Sequence, residues 1–172
     1  MADSDPKEVE RGVFQVECDS WESFQNYILQ LSQYSDYVWR GQRDSTWTLK
    51  STLDRLIREY EVAEPFFKKR HLDRFKLATR GRRGDNPSSL EDDGEWWALG
   101  QHHGLATPLL DWSRSPFVAA FFAFLKSAEK DQSDFRAVYA LHLSSATELA
   151  KIKLGKEKLE RLGSVDIQAS QM

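Results

Sequence analysis

Apolar and polar positions along the chain alternate between two periods. In Val13-Phe14-Gln15-Val16-Glu17-Cys18, Phe14, Val16 and Cys18 share one face, the period-two pattern of a short strand. Trp21, Phe24, Ile28 and Leu31 then recur at helical spacing. The spacing predicts an amphipathic helix over Trp21–Ser32, opened by a capping box of Asp19 and Glu22. Tyr37-Val38-Trp39-Arg40-Gly41-Gln42 is rich in strand formers and reads as the next strand. Trp47-Thr48-Leu49 reads as a short extended piece, and Leu53, Leu56 and Ile57 predict a helix from Thr52 to Tyr60. Pro65 fits the first turn of a longer helix in which Phe67, His71, Phe75 and Ala78 repeat on one side.

The second half continues in the same way. Residues 81–94 hold three glycines, Pro87, Ser88-Ser89 and no apolar period, so they read as a loop. Arg80, Arg82 and Arg83 make its start basic, which suits either a solvated loop or a flap over an anionic ligand. Glu95–His103 reads as a short helix stopped by Gly104. Ser115 as cap and Pro116 at the first position open a helix to Ala128. Its sequence, Phe-Val-Ala-Ala-Phe-Phe-Ala-Phe-Leu, is apolar nearly all round and predicts a central, buried element. Ala137–Leu143 reads as an interior strand. A last helix follows from Ala146 to Leu162, with Leu149, Ile152 and Leu159 inward.

This order predicts an α+β fold: a small, mainly antiparallel sheet surrounded by helices, with the Ala/Phe-rich helix buried. The expected organisation is a flexible polar tail at 1–12, one domain at 13–162 and a disordered end at 163–172.

Composition narrows the function classes. The 172 residues carry 24 Lys and Arg against 27 Asp and Glu, a net charge of −3. With a pI near 5.8, a globally basic nucleic-acid binder is excluded and a nucleic-acid partner is not expected. No apolar run approaches the roughly 18–20 residues that span a bilayer, and the acidic start is no signal peptide. One cysteine, Cys18, allows no internal disulfide and no cysteine-based metal site. The expectation is a cytoplasmic protein without a membrane partner. Mean hydropathy is −0.61, yet aromatics make up 12% of the chain. The core therefore leans on a few large rings, each burying roughly 150–250 Å².

Three segments place polar residues among apolar ones. In the first, Arg40 ends an apolar strand beside Gly41 and Gln42. A charge there needs a partner. Either Arg40 makes a structural ion pair, with Asp111 the candidate, or it grips a phosphate or carboxylate that Gly41 allows to approach. The second is Gln101-His102-His103-Gly104. Neighbouring helical side chains diverge by about 100°, so His102 and His103 suit a shared metal poorly, and no metal site is expected. The third holds Thr107, Asp111, Ser113 and Ser115 ahead of the Ala/Phe helix. Ser115 reads as a cap; Asp111 reads as functional. No nucleophile elbow, P-loop or dinucleotide-binding glycine pattern is present.

Together these segments resemble one family. Trp39-Arg40-Gly41-Gln42 with Trp47 and Leu49, then Gln101-His102-His103-Gly104-Leu105, Thr107, Leu109-Leu110-Asp111-Trp112-Ser113 and Ser115-Pro116, then Ala119-Ala120-Phe121-Phe122-Ala123, resemble the FRG domain. Trp39 stands where the family name has Phe. The resemblance spans about Trp21–Leu143 and fixes no reaction. It also implies that the domain runs on past this chain's end. The order of parts is similar, more weakly, to ADP-ribosyltransferase folds. That likeness implies NAD as the candidate substrate, with Arg40 contacting it and Ser113 or Thr107 building the nicotinamide pocket. Asp111-Trp112-Ser113 departs from the Ser-Thr-Ser of that pattern, and the later Glu or Gln has no convincing counterpart. Two functions follow as expectations: an NAD-binding, ADP-ribosyltransferase-like domain, or a non-catalytic module for a protein or nucleotide-like ligand. The candidate ligand-binding residues are Arg40, Gly41, Gln42, Gln101, His102, His103, Thr107, Asp111 and Ser113.

Overall fold

The architecture is α+β, as its alternating periods predict. The computed structural model describes residues 5–10, 12–32, 36–61, 64–83, 89–125 and 133–154. In chain order these form β1 (Lys7–Glu10), β2 (Val13–Gln15), α1 (Trp21–Ser32), β3 (Tyr37–Gln42), α2 (Thr52–Glu59), α3 (Glu64–Ala78), α4 (Asp93–His102), α5 (Pro116–Phe124), β4 (Ala137–His142) and α6 (Leu143–Leu154). Among the described residues there are two antiparallel two-stranded sheets, β1-β2 and β3-β4. No helix among them is long and apolar enough to cross a membrane. The expectations for Met1–Ser4, for the end of the Ala/Phe helix beyond Leu125 and for residues 155–172 lie outside the described residues.

The contacts divide the chain into two units. One comprises Met1–Ser45 and Trp112–Met172, the other Thr46–Asp111. In the first, β3 pairs with β4 in a single register from Tyr37↔His142 to Gln42↔Ala137. On its other side Trp39 and Ser113 exchange backbone hydrogen bonds, 2.7 Å and 2.8 Å. Thus β3 lies in the middle, and the interior position expected for β4 is corrected: β4 pairs with β3 alone among the described strands. Side chains alternate along β3. Trp39 packs with Ile28 of α1 and Ala119 of α5 to form this unit's core, flanked by Phe24, Leu31, Tyr37 and Val138.

Helix α5 is not buried all round. Ala119, Ala120 and Ala123 are sealed, whereas Phe117, Val118, Phe121, Phe122 and Phe124 are exposed. The reason lies in Gly41. A Cβ built on Gly41 falls 1.9 Å from the Ala119 carbonyl oxygen and 2.8 Å from the Ala123 nitrogen. The helix backbone therefore lies against the strand backbone through its small residues, and the large rings point elsewhere. Trp21 stacks near Phe24 and Phe117, with centroids 5.3 Å and 6.1 Å away, but stays half exposed.

Local signals account for most helix ends. Ser115 caps α5 by accepting the Val118 N–H, with Pro116 following. The box at the start of α1 uses Ser20 and Ser23, not Asp19 and Glu22. Each hydroxyl accepts the other residue's N–H, at 3.1 Å and 3.3 Å. The helix begins one residue later than the Asp19 spacing requires, which moves the cap onto Ser20. Helix α6 is capped from a distance: Asp36 accepts the Ser144 N–H at 2.8 Å and the Ser144 hydroxyl, and its carbonyl accepts the Leu143 N–H. Those bonds hold the Asp36 carboxyl below the ordinary carboxylate range. Leu149, expected inward, is exposed, and neither core cluster among the described residues includes a residue of α6. Lys7–Glu10, within the polar start, forms a hairpin with Val13–Gln15 whose side chains are all exposed.

The second unit is built on Leu53, Ile57, Leu72 and Trp97, with Phe67, Trp96, Leu105 and Ala106 against them. Trp47-Thr48-Leu49 forms no strand and its side chains are exposed. A full capping box of Ser51 and Asp54 starts α2. Desolvation pushes the Asp54 carboxyl up, but the Ser51 hydroxyl, Lys68 and the Ser51 N–H outweigh it and hold it low. His71 stacks on Phe67 at 5.6 Å, and its Nε2–H donates to the Ala106 carbonyl at 3.0 Å, so it packs this core.

Candidate functional site

The strand-end candidates lie in the first unit. On β3, Trp39 and Gly41 face α5, so Val38, Arg40 and Gln42 share the opposite face. Arg40 stands directly across from Tyr139 of β4, whose hydroxyl burial pushes up in pKa. The Nε of Arg40 and the Oε1 of Gln42 are sealed from solvent, and Gln42 is buried as a whole. Gly41 is the clearest correction. The space that a ligand was expected to use is filled by the backbone of α5, so here the glycine serves strand–helix packing. Ser113 is half-buried. Its backbone is bonded to Trp39, and its hydroxyl accepts the Ser115 N–H at 3.0 Å. It shapes the turn into α5.

The other candidates lie in the second unit, and there the sequence explains how they meet. Helix α4 ends in a Schellman turn: the Gly104 N–H donates to the Gln101 carbonyl and the Leu105 N–H to the Gly100 carbonyl, at 3.0 Å and 2.8 Å. Gly104 has φ +81°, a conformation that favours glycine. The turn folds the chain back so that Leu105 packs against Gly100, and Thr107 comes beside Gln101.

Thr107 is 2% exposed, and both its carbonyl and its hydroxyl are hydrogen-bonded. Its carbonyl accepts the Leu53 N–H at 3.2 Å, and its hydroxyl accepts the Leu109 N–H at 3.3 Å. The same hydroxyl donates to Gln101 Oε1 at 2.5 Å. That bond sets the Gln101 amide, whose Nε2–H then donates to Asp111 Oδ1. The result is a directed chain from a buried hydroxyl to a surface carboxylate. Asp111 is exposed and held in orientation. His102 and His103 are also exposed, edge to face with centroids 5.2 Å apart, and neither joins the chain. Among the described residues no three His, Cys, Asp or Glu side chains gather as metal ligands.

Arg40 belongs to the first unit and Asp111 to the second. One buried carboxylate, Asp44, was missed by the sequence reading. A charge two residues beyond a strand was its only signal.

The segments described here are those a family model recognises. The model for the FRG domain matches residues 35–132, more than half of the chain. The chain belongs to the FRG domain family. The match takes in β3, the Gln101–Asp111 segment and α5, so the FRG signature covers both constellations. No curated protein and no solved structure matches this chain.

Proposed function

We propose that this FRG domain, taken as residues 13–162, binds a ribose-bearing nucleotide, with NAD as the first candidate. The observation that carries the reading is the Thr107–Gln101–Asp111 chain. A surface carboxylate fixed by side chains anchored on the buried Thr107 accepts hydrogen bonds without first losing conformational freedom. Paired ribose hydroxyls are a natural donor to such a group, and an acidic residue takes that role in dinucleotide sites. In this reading Asp111 accepts from a ribose, Gln101 positions Asp111, and Thr107 fixes Gln101.

The test is calorimetry of NAD and ADP-ribose against the folded chain. Saturable heat from both ligands is expected, weakened at least about tenfold by Asp111→Asn, the loss of one charged hydrogen bond. Equal binding by Asp111→Asn, with unchanged circular dichroism, would contradict the reading. A second reading is a non-catalytic module that docks a protein. The exposed rings of α5 favour it, because a surface aromatic run of that kind often marks an interaction site. It predicts no heat with either nucleotide.

A further inference from the structure

Away from Asp111, an open surface hollow of about 440 Å³ is lined by Lys50 ahead of α2, by Asp54, Ile57 and Arg58 of α2, and by Lys68 of α3. Ile57 is the apolar floor, since it belongs to the core beneath. Three cations and one carboxylate line the same space. Asp54 is already committed: it accepts from Ser51 in the capping box and carries Lys68 at 3.1 Å. Lys50 is held in place through its backbone. Its N–H donates to the Thr48 carbonyl at 2.8 Å, and Arg55 Nη1 donates to the Lys50 carbonyl at 3.3 Å. Arg58 lies one turn beyond Asp54 on α2, so its guanidinium enters from the helix side.

Three cations against one carboxylate make this hollow net positive in a chain of net charge −3. Like charges that share a concave surface repel, and the field they create attracts an anion of matching size. The volume lies within the range of small-ligand sites. A guanidinium and an ammonium from separate elements suit neighbouring phosphate oxygens, one as a planar fork and the other as a point charge.

We propose that this hollow binds a diphosphate group, with Lys50 and Arg58 as its two ligands and Lys68 as a third charge tempered by Asp54. The site is independent of the ribose reading and of Asp111.

The experiment is a titration of the folded chain with inorganic pyrophosphate at constant ionic strength. It is followed by calorimetry and by the amide resonances of residues 50–58, with sulfate as the comparator. Saturable shifts at Lys50 and Arg58 are expected, together with at least about tenfold weaker binding in the Lys50→Gln/Arg58→Gln double variant. Lys69→Gln, an exposed cation outside the hollow, leaves that affinity unchanged. An ADP arm separates sources: tighter binding than pyrophosphate assigns the group to a nucleotide, equal binding to free diphosphate, and either supports the site. Should the double variant fail to fold, exposed Arg58→Gln alone must still weaken binding. Unchanged affinity in a folded variant, the same shifts with sulfate, or no saturation overturns the proposal.

Discussion

The end of strand β3 and the segment after α4 carry the same kind of signal, a glycine beside polar residues in an apolar setting, yet they fold into opposite solutions. At Gly41 the missing side chain is filled by another backbone: the Ala119 carbonyl stands 1.9 Å from where a Cβ would sit. At Gly104 nothing lies within 4 Å of that position, and the residue is needed for its φ of +81°. The first glycine closes a gap between strand and helix. The second turns the chain so that a buried threonine, a glutamine and a surface aspartate line up. A glycine beside an arginine therefore does not by itself mark an opening for ligand. What distinguishes the cases is whether the neighbouring polar atoms end inside the protein or at its surface.

Perturbing each half of that comparison should give effects of very different size. Gly41→Ala is expected to be the most severe. The obstacle is helix backbone, which cannot swing aside, and destabilisation of about 3 kcal/mol is expected in denaturant unfolding. Unfolding within about 0.5 kcal/mol of wild type would mean that α5 does not approach β3 so closely. Thr107→Val comes next. It keeps the shape but leaves Gln101 Oε1 and the Leu109 N–H without their hydroxyl partner. A loss of about 1–3 kcal/mol is expected, with Thr107→Ser restoring most of it. If Val were neutral and Ser gave no recovery, the network would not be holding Gln101.

Phe121→Ser sharpens the contrast within α5. Phe121 is 58% exposed while Ala120 on the same helix is 2% exposed. A change in stability of no more than about 0.5 kcal/mol is expected, measured by the same unfolding curves. A large loss would place Phe121 in a core.

The gentlest comparison is in acid. Asp36 caps a helix in one unit and Asp54 in the other, and both carboxyls titrate below the ordinary value of 3.8. Because their folded pKa values are depressed, the unfolded chain takes up these protons first as pH falls. Their contribution is therefore complete above the unfolded pKa and is lost as pH drops through the lower folded one. Asp36→Asn and Asp54→Asn should each flatten the acid limb of a stability–pH curve. An unchanged limb in both would show that neither cap depends on charge.

The sequence made some of this legible, and the reasons are local. Ser115-Pro116 and Gly104 are signals whose meaning is complete within a few residues, and both turn up where the pattern puts them. The bounds of α1 and β3 follow from hydrophobic period in the same way. Helix α5 was not readable, because a helix apolar on every side has no preferred face; Gly41, which is far away in sequence, chooses the alanines. The Gln101–Asp111 bond could be guessed only as a cluster of polar residues. Its direction depends on the Thr107 hydroxyl, which the turn at Gly104 brings into range. Lys50, Arg58 and Lys68 gave no joint signal, since they come from three separate places in the chain.

The claim on which the functional reading depends is that Asp111 is held ready for a ligand through Gln101. The side-chain amide of Gln101 reports on this directly by NMR during a titration with ADP-ribose. A saturable shift of that amide, absent in Asp111→Asn, is the predicted result. An amide that stays unmoved at millimolar ADP-ribose, in a protein that remains folded, would contradict the account.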